Sequence, residues 1–343
     1  MDCINVAING FGRIGKIALN IIEELRISGK KIRVVAINSP STNIDHIIYM
    51  LKYDSVYKSL YTSDISYFYK DGLEYINLSH ESGNNNILVH HCYSLDDIDW
   101  SKSNVDIVIE SSGAYKTINN ASQHLKQGAK KVIISAPSDD APTFVYGVNH
   151  NNYDNTMKVI SNASCTTNCL APLVKVLNDN FIIEDALVSS VHSSTASQKI
   201  VDGSSKKDWR LGRSTLNNII PTTTGAAKAV AQVIPELTGK ITGLAYRIPI
   251  INGSLIDLTV RVKKDTNYQE IMNAIKNNNL DNTIEVTCDP IVSTDIIGNR
   301  LSCLVDSKAG IELNKNFYKI VAWYDNEYGY TSRLIDMIFH MMK

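Results

Sequence analysis

Long hydrophobic runs are missing from this sequence: no stretch of its 343 residues approaches the ~18 consecutive apolar positions that a membrane-spanning helix needs. Its opening, Met1-Asp2-Cys3-Ile4, has neither the basic start nor the extended apolar core of a secretory signal, so the expectation is a cytoplasmic protein without a membrane partner. Charge of one sign is also missing. The 34 basic side chains balance 35 acidic ones for a net charge of −1, which removes any general electrostatic reason to bind nucleic acid or an anionic surface. A local cationic pocket remains open, because a small phosphate needs only one or two placed cations. Cysteine is sparse: Cys3, Cys92, Cys165, Cys169, Cys288 and Cys303 are too scattered for a disulfide scaffold. The Cys165/Cys169 pair lacks the repeated two-residue spacing of a zinc site, and no histidine joins a ligand pattern, so no metal is expected.

What is present is an ordinary globular composition, 44% hydrophobic and 20% charged, in a chain long enough for two domains. Ile4–Asn9 reads as a β-branched strand, Lys16–Ile27 as a helix with one apolar face, and Ile32–Ile37 as a second strand. Between the first two lies Gly10-Phe11-Gly12-Arg13-Ile14-Gly15. In such a Gly-x-Gly-x-x-Gly turn the first glycine permits a tight turn, the second lets backbone approach a pyrophosphate, and the third allows close helix–strand packing. The helix N-terminus then offers N–H groups to phosphate. A glycine pattern alone is weak; its place directly after a strand favours a dinucleotide site.

The second strand ends at Asn38-Ser39-Pro40, without the carboxylate that would accept the ribose hydroxyls of NAD and repel the extra phosphate of NADP. Asn38 and Ser39 are therefore candidates at the adenosine end. Further strands are expected at Asn86–His90, Val105–Glu110 and Lys131–Ser135, with a helix over Thr117–Gly128. Ser135, at the end of its strand, joins the cofactor-binding candidates. The stretch 41–86 gives weak signals, read as a helix near 43–51 and small antiparallel strands.

A different texture begins near Ser161. Cys165–Leu177 reads as a helix entered through Ser164. Leu187–His192, Gly243–Pro249, Ser254–Lys263 and Tyr318–Tyr324 suit an antiparallel sheet, with helices at Gly225–Ile234, Tyr268–Asn277 and Thr331–Met342. The fold class is thus α/β, a Rossmann-type dinucleotide-binding domain (1–163 plus 328–343) joined to an α+β catalytic domain (164–327) on a mostly antiparallel sheet.

Cys165 stands where a helix begins, so its thiolate would gain from the helix's positive end. Taken alone, a cysteine in an apolar chain is more often inert packing, and Cys169, one turn deeper, reads as core. His192 ends an apolar strand; it can take a thiol proton or shuttle a substrate proton, and a structural role is equally open. Thr195, Ser197, Thr224, Gly225 and Arg247 are anion-binding candidates. Helix capping competes at Thr224, but Arg247 interrupts an apolar run, where a charge is costly unless paired.

Several islands in fixed order give the whole chain a likeness. Asn9–Gly15, Ser161–Pro172, Asp202-Gly203-Ser204-Ser205, Trp209–Arg213, Thr224–Val230 and Trp323-Tyr324-Asp325-Asn326-Glu327 together resemble the phosphorylating glyceraldehyde-3-phosphate dehydrogenase family. The resemblance implies that D-glyceraldehyde 3-phosphate is oxidised with NAD and inorganic phosphate to 1,3-bisphosphoglycerate through a cysteine thioester. It makes Cys165 the nucleophile and His192 the general base and orienting cation. Ser164, Thr166, Thr195, Ser197, Thr224, Gly225 and Arg247 become contacts for substrate or inorganic phosphate, with Arg247 between the two anion sites. Asn326 is expected to hold the nicotinamide carboxamide and Tyr330 to pack near that ring. The family is usually a homotetramer whose 195–215 loop reaches a neighbour's cofactor. Two departures stand out: Ser39 replaces the ribose-binding Asp, and Ser204 stands where Pro is frequent, as in photosynthetic members that accept NADP. NAD is favoured, with NADP use open.

Two rivals remain. Erythrose-4-phosphate dehydrogenase would let water finish the reaction, but the match at Thr195–Lys199 and Thr224–Ala227 favours the glycolytic enzyme. A noncatalytic nucleotide- or RNA-binding protein on the same scaffold would not need the Cys165–His192 pair, and no clustered basic and aromatic signal supports it.

Overall fold

The structure, a computed structural model, describes residues 3–57, 64–206 and 208–343; Met1, Asp2 and the part of the 41–86 reading that falls on 58–63 lie outside them. The chain divides into two compact units. One holds Met1–Phe144, Asn152–Ala163 and Leu334–Lys343, the other Val145–Asn151 and Ser164–Arg333.

The first unit is built on β1 (Ile4–Asn9), α1 (Arg13–Ile27), β2 (Ile32–Asn38), α2 (Ile44–Lys52), β3 (Ile65–Lys70), β4 (Leu73–Leu78), β5 (Asn85–His90), β6 (Ile107–Glu110), α3 (Ile118–Ala121), α4 (Gln123–Lys126), β7 (Lys131–Ile134) and β8 (Val159–Ser161). The sheet order is β3-β4-β5-β2-β1-β6-β7-β8. From β5 to β8 all neighbours are parallel. Every residue of β1, β6 and β7 is buried, as strands covered on both faces must be, which explains their largely apolar sequences. β3 and β4 form an antiparallel hairpin closed by Asp71 (φ 52°) and Gly72 (φ 74°), the two left-handed residues that a tight turn matched to strand twist requires.

The helix expected over Thr117–Gly128 is broken into α3 and α4, and the break at Ser122 places His124 in the interior. There His124 Nε2 lies 2.9 Å from Glu110 Oε2, and the Trp100 indole N–H donates to His124 Nδ1 at 3.0 Å. Indole only donates, so Nδ1 carries the lone pair and Nε2 the proton. The Glu110 carboxylate also accepts from Asn9 Nδ2 at 2.6 Å and from the Ser112 N–H at 2.8 Å. These bonds fix the carboxyl ends of β1 and β6, where parallel α/β sheets bind their ligands.

The second unit comprises α5 (Cys165–Phe181), β9 (Ile183–His192), β10 (Ile220–Thr223), α6 (Ala226–Val233), β11 (Ile241–Arg247), β12 (Ser254–Val262), α7 (Tyr268–Asn277), β13 (Ile284–Thr287), β14 (Cys303–Asn314), β15 (Phe317–Tyr324) and the start of α8 (Tyr328–Met341). Its sheet order is β10-β11-β9-β12-β15-β14-β13, antiparallel except for the β9/β11 and β13/β14 pairings. β12 alternates strictly, burying Ser254, Ile256, Leu258, Val260 and Val262 on the face covered by α5.

The units depart from the expected boundaries at 145–151 and 328–333, both of which group with the second unit. Bonds to one loop explain both. Gly147 (φ 83°) packs so that an added Cβ would lie 2.6 Å from the Leu280 carbonyl, and Arg333 Nη1 reaches the Asn282 carbonyl. That loop carries three successive left-handed residues, Leu280, Asp281 and Asn282. The end of α8 belongs to the first unit, where buried Lys131 donates to the Met341 carbonyl and, at 2.5 Å, to Asn155 Oδ1. No helix among the described residues is long and apolar enough to cross a membrane.

Replacing Trp100 by Phe keeps the ring but strands the buried lone pair of His124. The expected cost is about 1–3 kcal/mol, read as a lower urea midpoint at unchanged slope.

Candidate active site

In the first unit the glycine turn divides its labour as its spacing predicts. Gly10 has φ 91°, and a Cβ there would lie 2.4 Å from the Ser112 nitrogen. A Cβ on Gly15 would meet the Gly10 carbonyl at 2.3 Å, so α1 can approach β1 only with glycine at that place. At Gly12, by contrast, a Cβ would meet nothing within 4 Å. Gly12 is also the N-cap of α1 and provides no side-chain cap. An open space over an uncapped helix N-terminus fits a pyrophosphate, so these residues suit the dinucleotide.

The neighbouring candidates are placed differently from one another. Phe11 is buried and Ile14 half-buried. Arg13 donates to Asp54 at 2.5 Å, and Lys16 pairs with the same carboxylate. Burial would raise the Asp54 pKa, yet Lys16, the Tyr57 and Val56 amides and Arg13 hold it well below the usual carboxylate range. Arg13 thus anchors the 54–57 segment. Asn38 is turned inward: its Nδ2 donates to Asn9 Oδ1 at 2.8 Å and to the Cys92 carbonyl at 3.0 Å, while its Oδ1 accepts from the Cys92 N–H at 2.9 Å. Ser39 is buried, with its carbonyl 3.0 Å from His91 Nδ1, whose other ring nitrogen faces Glu74. Ser135 follows β7 and donates its N–H to the Glu110 carbonyl at 2.9 Å.

In the second unit Ser164 caps α5, its Oγ accepting from the Thr167 N–H at 3.1 Å. Ala163, just before it, is held at φ 56°, a costly conformation for a residue with a Cβ, and the chain turns sharply into the helix there. Cys165 is the first helical residue. Its sulfur lies 3.4 Å from His192 Nε2, at the far end of β9. At the helix end the Thr166 and Cys165 amides favour the thiolate, and burial opposes them. Burial pushes the Cys165 thiol up, and this outweighs the lowering by Arg247, the Thr166 hydroxyl and the Thr166 and Cys165 amides. Cys169 is fully buried, a core residue as read.

β9 and β11 run parallel with His192 beside Arg247, so the sheet itself sets imidazole against guanidinium. Arg247 Nη1 lies 2.6 Å from His192 Nδ1 and donates to the Ser193 carbonyl at 3.0 Å. Arg247 also lines a cavity of about 400 Å³ with Ser197, Thr222, Thr223 and Asp208. Thr195 and Ser197 share a hydroxyl contact of 3.0 Å, and both are exposed. Thr224 Oγ1 accepts from the Ala226 N–H at 3.2 Å, and Gly225 is the exposed N-cap of α6. Thr166 differs: its hydroxyl is buried, 3.1 Å from the Tyr324 hydroxyl.

Asn326 Oδ1 accepts from the hydroxyls of Ser193 and Ser254, both at 2.9 Å, which leaves the amide nitrogen as the group it can offer a ligand carbonyl. Tyr330 is buried in the first turn of α8. Sequence reasoning missed Ser193, Ser254 and Tyr324. The Tyr324 hydroxyl sits between Thr166 and Ser190, with its ring edge-on to His192 at 6.0 Å. Its position two residues before Asn326 was the only hint. No group of three or more His, Cys, Asp or Glu among the described residues is placed to hold a metal ion.

Two measurements follow. Gly12→Ala should fold normally and lose tenfold or more in dinucleotide affinity by calorimetric titration, whereas Gly15→Ala should lose about 1–3 kcal/mol of stability through overpacking. Secondly, burial and then Arg247 pull His192 down to about 3, and burial and then Lys102 pull His90 to about 4, from 6.5. Below 6.5 the unfolded chain therefore binds protons that the folded chain refuses. The stability from keeping these rings neutral is complete above that pH and is lost as pH falls toward 3–4. His192→Gln should flatten the stability slope by up to about 1.4 kcal/mol per pH unit in urea unfolding between about pH 5 and 6.

Comparison with known proteins places both units. Residues 4–118 match the family described as "Glyceraldehyde 3-phosphate dehydrogenase, NAD binding domain", and residues 164–326 match "Glyceraldehyde 3-phosphate dehydrogenase, C-terminal domain". The chain is 50% identical over 343 residues to glyceraldehyde-3-phosphate dehydrogenase 1 of Mucor circinelloides f. lusitanicus, covering 99% of this chain and 98% of the relative. It is 51% identical over 351 residues to the glyceraldehyde-3-phosphate dehydrogenase of Hypocrea atroviridis, with 99% and 98% covered. To the cytosolic enzyme of Mesembryanthemum crystallinum it is 46% identical over 346 residues, with 100% and 99% covered. The glycine turn in one unit and the cysteine–histidine contact in the other thus meet full-length likeness, and the chain belongs to the glyceraldehyde-3-phosphate dehydrogenase family.

Proposed function

We propose that this chain oxidises D-glyceraldehyde 3-phosphate with NAD and inorganic phosphate, giving 1,3-bisphosphoglycerate through a thioester on Cys165. The observation that carries the reading is the 3.4 Å contact between Cys165 Sγ and His192 Nε2 at the head of α5. Sulfur attacks the aldehyde carbon, and the thiohemiacetal hydroxyl forms beside the imidazole. Bound NAD supplies the hydride acceptor. His192 takes the hydroxyl proton as the C–H bond breaks, so no alkoxide has to persist. The Cys165 N–H, at the start of α5, would donate to the oxygen that gains charge when phosphate attacks the thioester. Arg247, Ser197, Thr195, Thr224 and Gly225 hold the substrate's phosphate or the incoming one, and Ser164 and Thr166 flank the sulfur. A thioester retains the oxidation energy until phosphate arrives, which is why sulfur is used.

On the cofactor side Gly10–Gly15 would hold the pyrophosphate and Asn38, Ser39 and Ser135 the adenosine end, while Asn326 and Tyr330 would hold the nicotinamide, with the Asn326 amide nitrogen as the donor it can offer. Ser39 brings no carboxylate against a 2′-phosphate, so NADP is a second, weaker cofactor. A homotetramer fits the open sheet face and the 195–215 loop. Such an assembly would cover Leu187, Val201 and Trp209, which are 62%, 73% and 89% exposed in the single chain. Cytoplasmic action accords with relatives that are themselves named cytosolic.

One assay tests the reading. NADH formation from glyceraldehyde 3-phosphate should require phosphate or arsenate, and Cys165→Ser should lower turnover by at least about a thousandfold while retaining NAD affinity. Iodoacetamide labelling of Cys165 should be blocked by substrate. Phosphate-independent turnover favouring a four-carbon aldehyde would move the assignment to erythrose-4-phosphate dehydrogenase. Labelling of Cys165 that substrate leaves unchanged would support a binding protein.

A further inference from the structure

At the end of β2 the chain lacks a carboxylate, but the sheet brings one there from another strand. β2 and β5 run parallel with Asn38 level with His90, so Ser39 and His91 leave the carboxyl end of the sheet side by side. β4 pairs antiparallel with β5, and Glu74 stands opposite Val89. Side chains alternate along a strand, so Glu74, Val89 and His91 share one face. A line of contacts results: the Ser39 carbonyl lies 3.0 Å from His91 Nδ1, and His91 Nε2 lies 3.0 Å from Glu74 Oε2. The two bonds between Asn38 and Cys92 clamp the same corner.

Both partners of the His91 ring are acceptors. A carbonyl oxygen and a carboxylate take hydrogen bonds and give none. A neutral imidazole has one N–H, so it would set lone pair against lone pair on its other side. An imidazolium donates on both sides, and the two contacts together call for that charged form. The charged or titratable groups that meet the ring are Glu74 from β4 and His90 from its own strand. His90 is the contrast: it packs edge-on against Trp100 at 5.4 Å, and burial and then Lys102 hold it down at about 4. At about pH 6, where an ordinary imidazole is largely protonated, the positive charge of these two neighbours therefore sits on His91. Its side chain is 32% exposed and that of Glu74 is 30% exposed, so the field of the pair reaches a bound ligand.

In a dinucleotide-binding unit the residue after the second strand reads the adenosine ribose, and a carboxylate there repels a 2′-phosphate. Here that residue is an uncharged serine whose carbonyl is tied to an ion pair. We infer that the His91–Glu74 pair, and not residue 39, sets the charge met by the ribose end of the cofactor: the Glu74 carboxylate opposes a 2′-phosphate, the His91 imidazolium offsets it, and their balance decides between NAD and NADP. The inference rests on the cofactor reading given above for Ser39 and names the groups that supply its discrimination. Both charges act through space across a partly wet surface, so salt screens them, over about 10 Å at 0.1 M ionic strength.

The two members of the pair have opposite signs, and this separates a charge determinant from a structural bond. Glu74→Gln and His91→Gln both break the same ion pair. Dissociation constants of the full chain for NAD and NADP, from calorimetric titration at about pH 6 and low ionic strength, read the difference. Glu74→Gln should raise NADP affinity relative to NAD by about threefold or more, and His91→Gln should lower it by a similar factor. Added salt should shrink both shifts. A purely structural pair would weaken NAD and NADP alike in both variants and leave their ratio where it was. Shifts of the ratio in the same direction, or no shift in either variant, would overturn the inference. Both side chains are partly exposed, so both variants should fold; if one does not, the sign of the other decides. The phosphate requirement of NADH formation and the loss in Cys165→Ser are scored separately, so the pair can fail as the determinant while the thioester reading stands.

Discussion

The contact between Cys165 and His192 is the constraint on which the second unit depends. A sulfur at the first residue of a helix and an imidazole at the last residue of a strand, 27 positions on, meet at 3.4 Å only if α5 crosses the sheet at one height. The strict alternation of β12 and the burial of Leu170, Leu173, Val174 and Leu177 fix that height by close packing. Ala163 takes a left-handed backbone to enter the helix at the required angle. Arg247 is then brought to the other side of the ring by parallel pairing, with no freedom of register.

The first unit solves a different problem with similar economy. Its glycine turn is open at Gly12 while being crowded at Gly10 and Gly15. The crowding is held by a buried set of directed hydrogen bonds. Because Trp100 can only donate, His124 must donate to Glu110, and Glu110 must remain an acceptor for Asn9 and Ser112. Asn9 in turn accepts from Asn38, whose own oxygen holds the Cys92 amide. One donor-only group thus sets the direction of bonds across three strand ends, and a carboxylate stays in the interior because each of its oxygens is satisfied.

Local pattern read best where one physical cause acts alone. The buried parallel strands announced themselves by sequences rich in Ile and Val, and the glycine turn by its spacing after β1. Helix α7 was read to the residue because Asn267 caps it and one face is apolar. Reading failed where long-range partners set the structure. The twelve-residue β14, polar along its outer half, was not seen, since its bonds come from β13 and β15. The helix expected over Thr117–Gly128 is broken, with His124 committed to Glu110 and Trp100.

The order of residues by itself determined the family, the two-part α/β design, the glycine turn after β1 and the candidacy of Cys165, His192 and Arg247. These depend on residue type at short spacing, which a linear chain displays directly. Only the tertiary structure decided that Asn38 faces inward, that burial raises the Cys165 thiol, that Tyr324 bridges Thr166 and Ser190, and that Arg247 rests on the imidazole. Hydrogen-bond direction and desolvation are properties of neighbours in space, and those neighbours stand up to 158 positions apart along the chain.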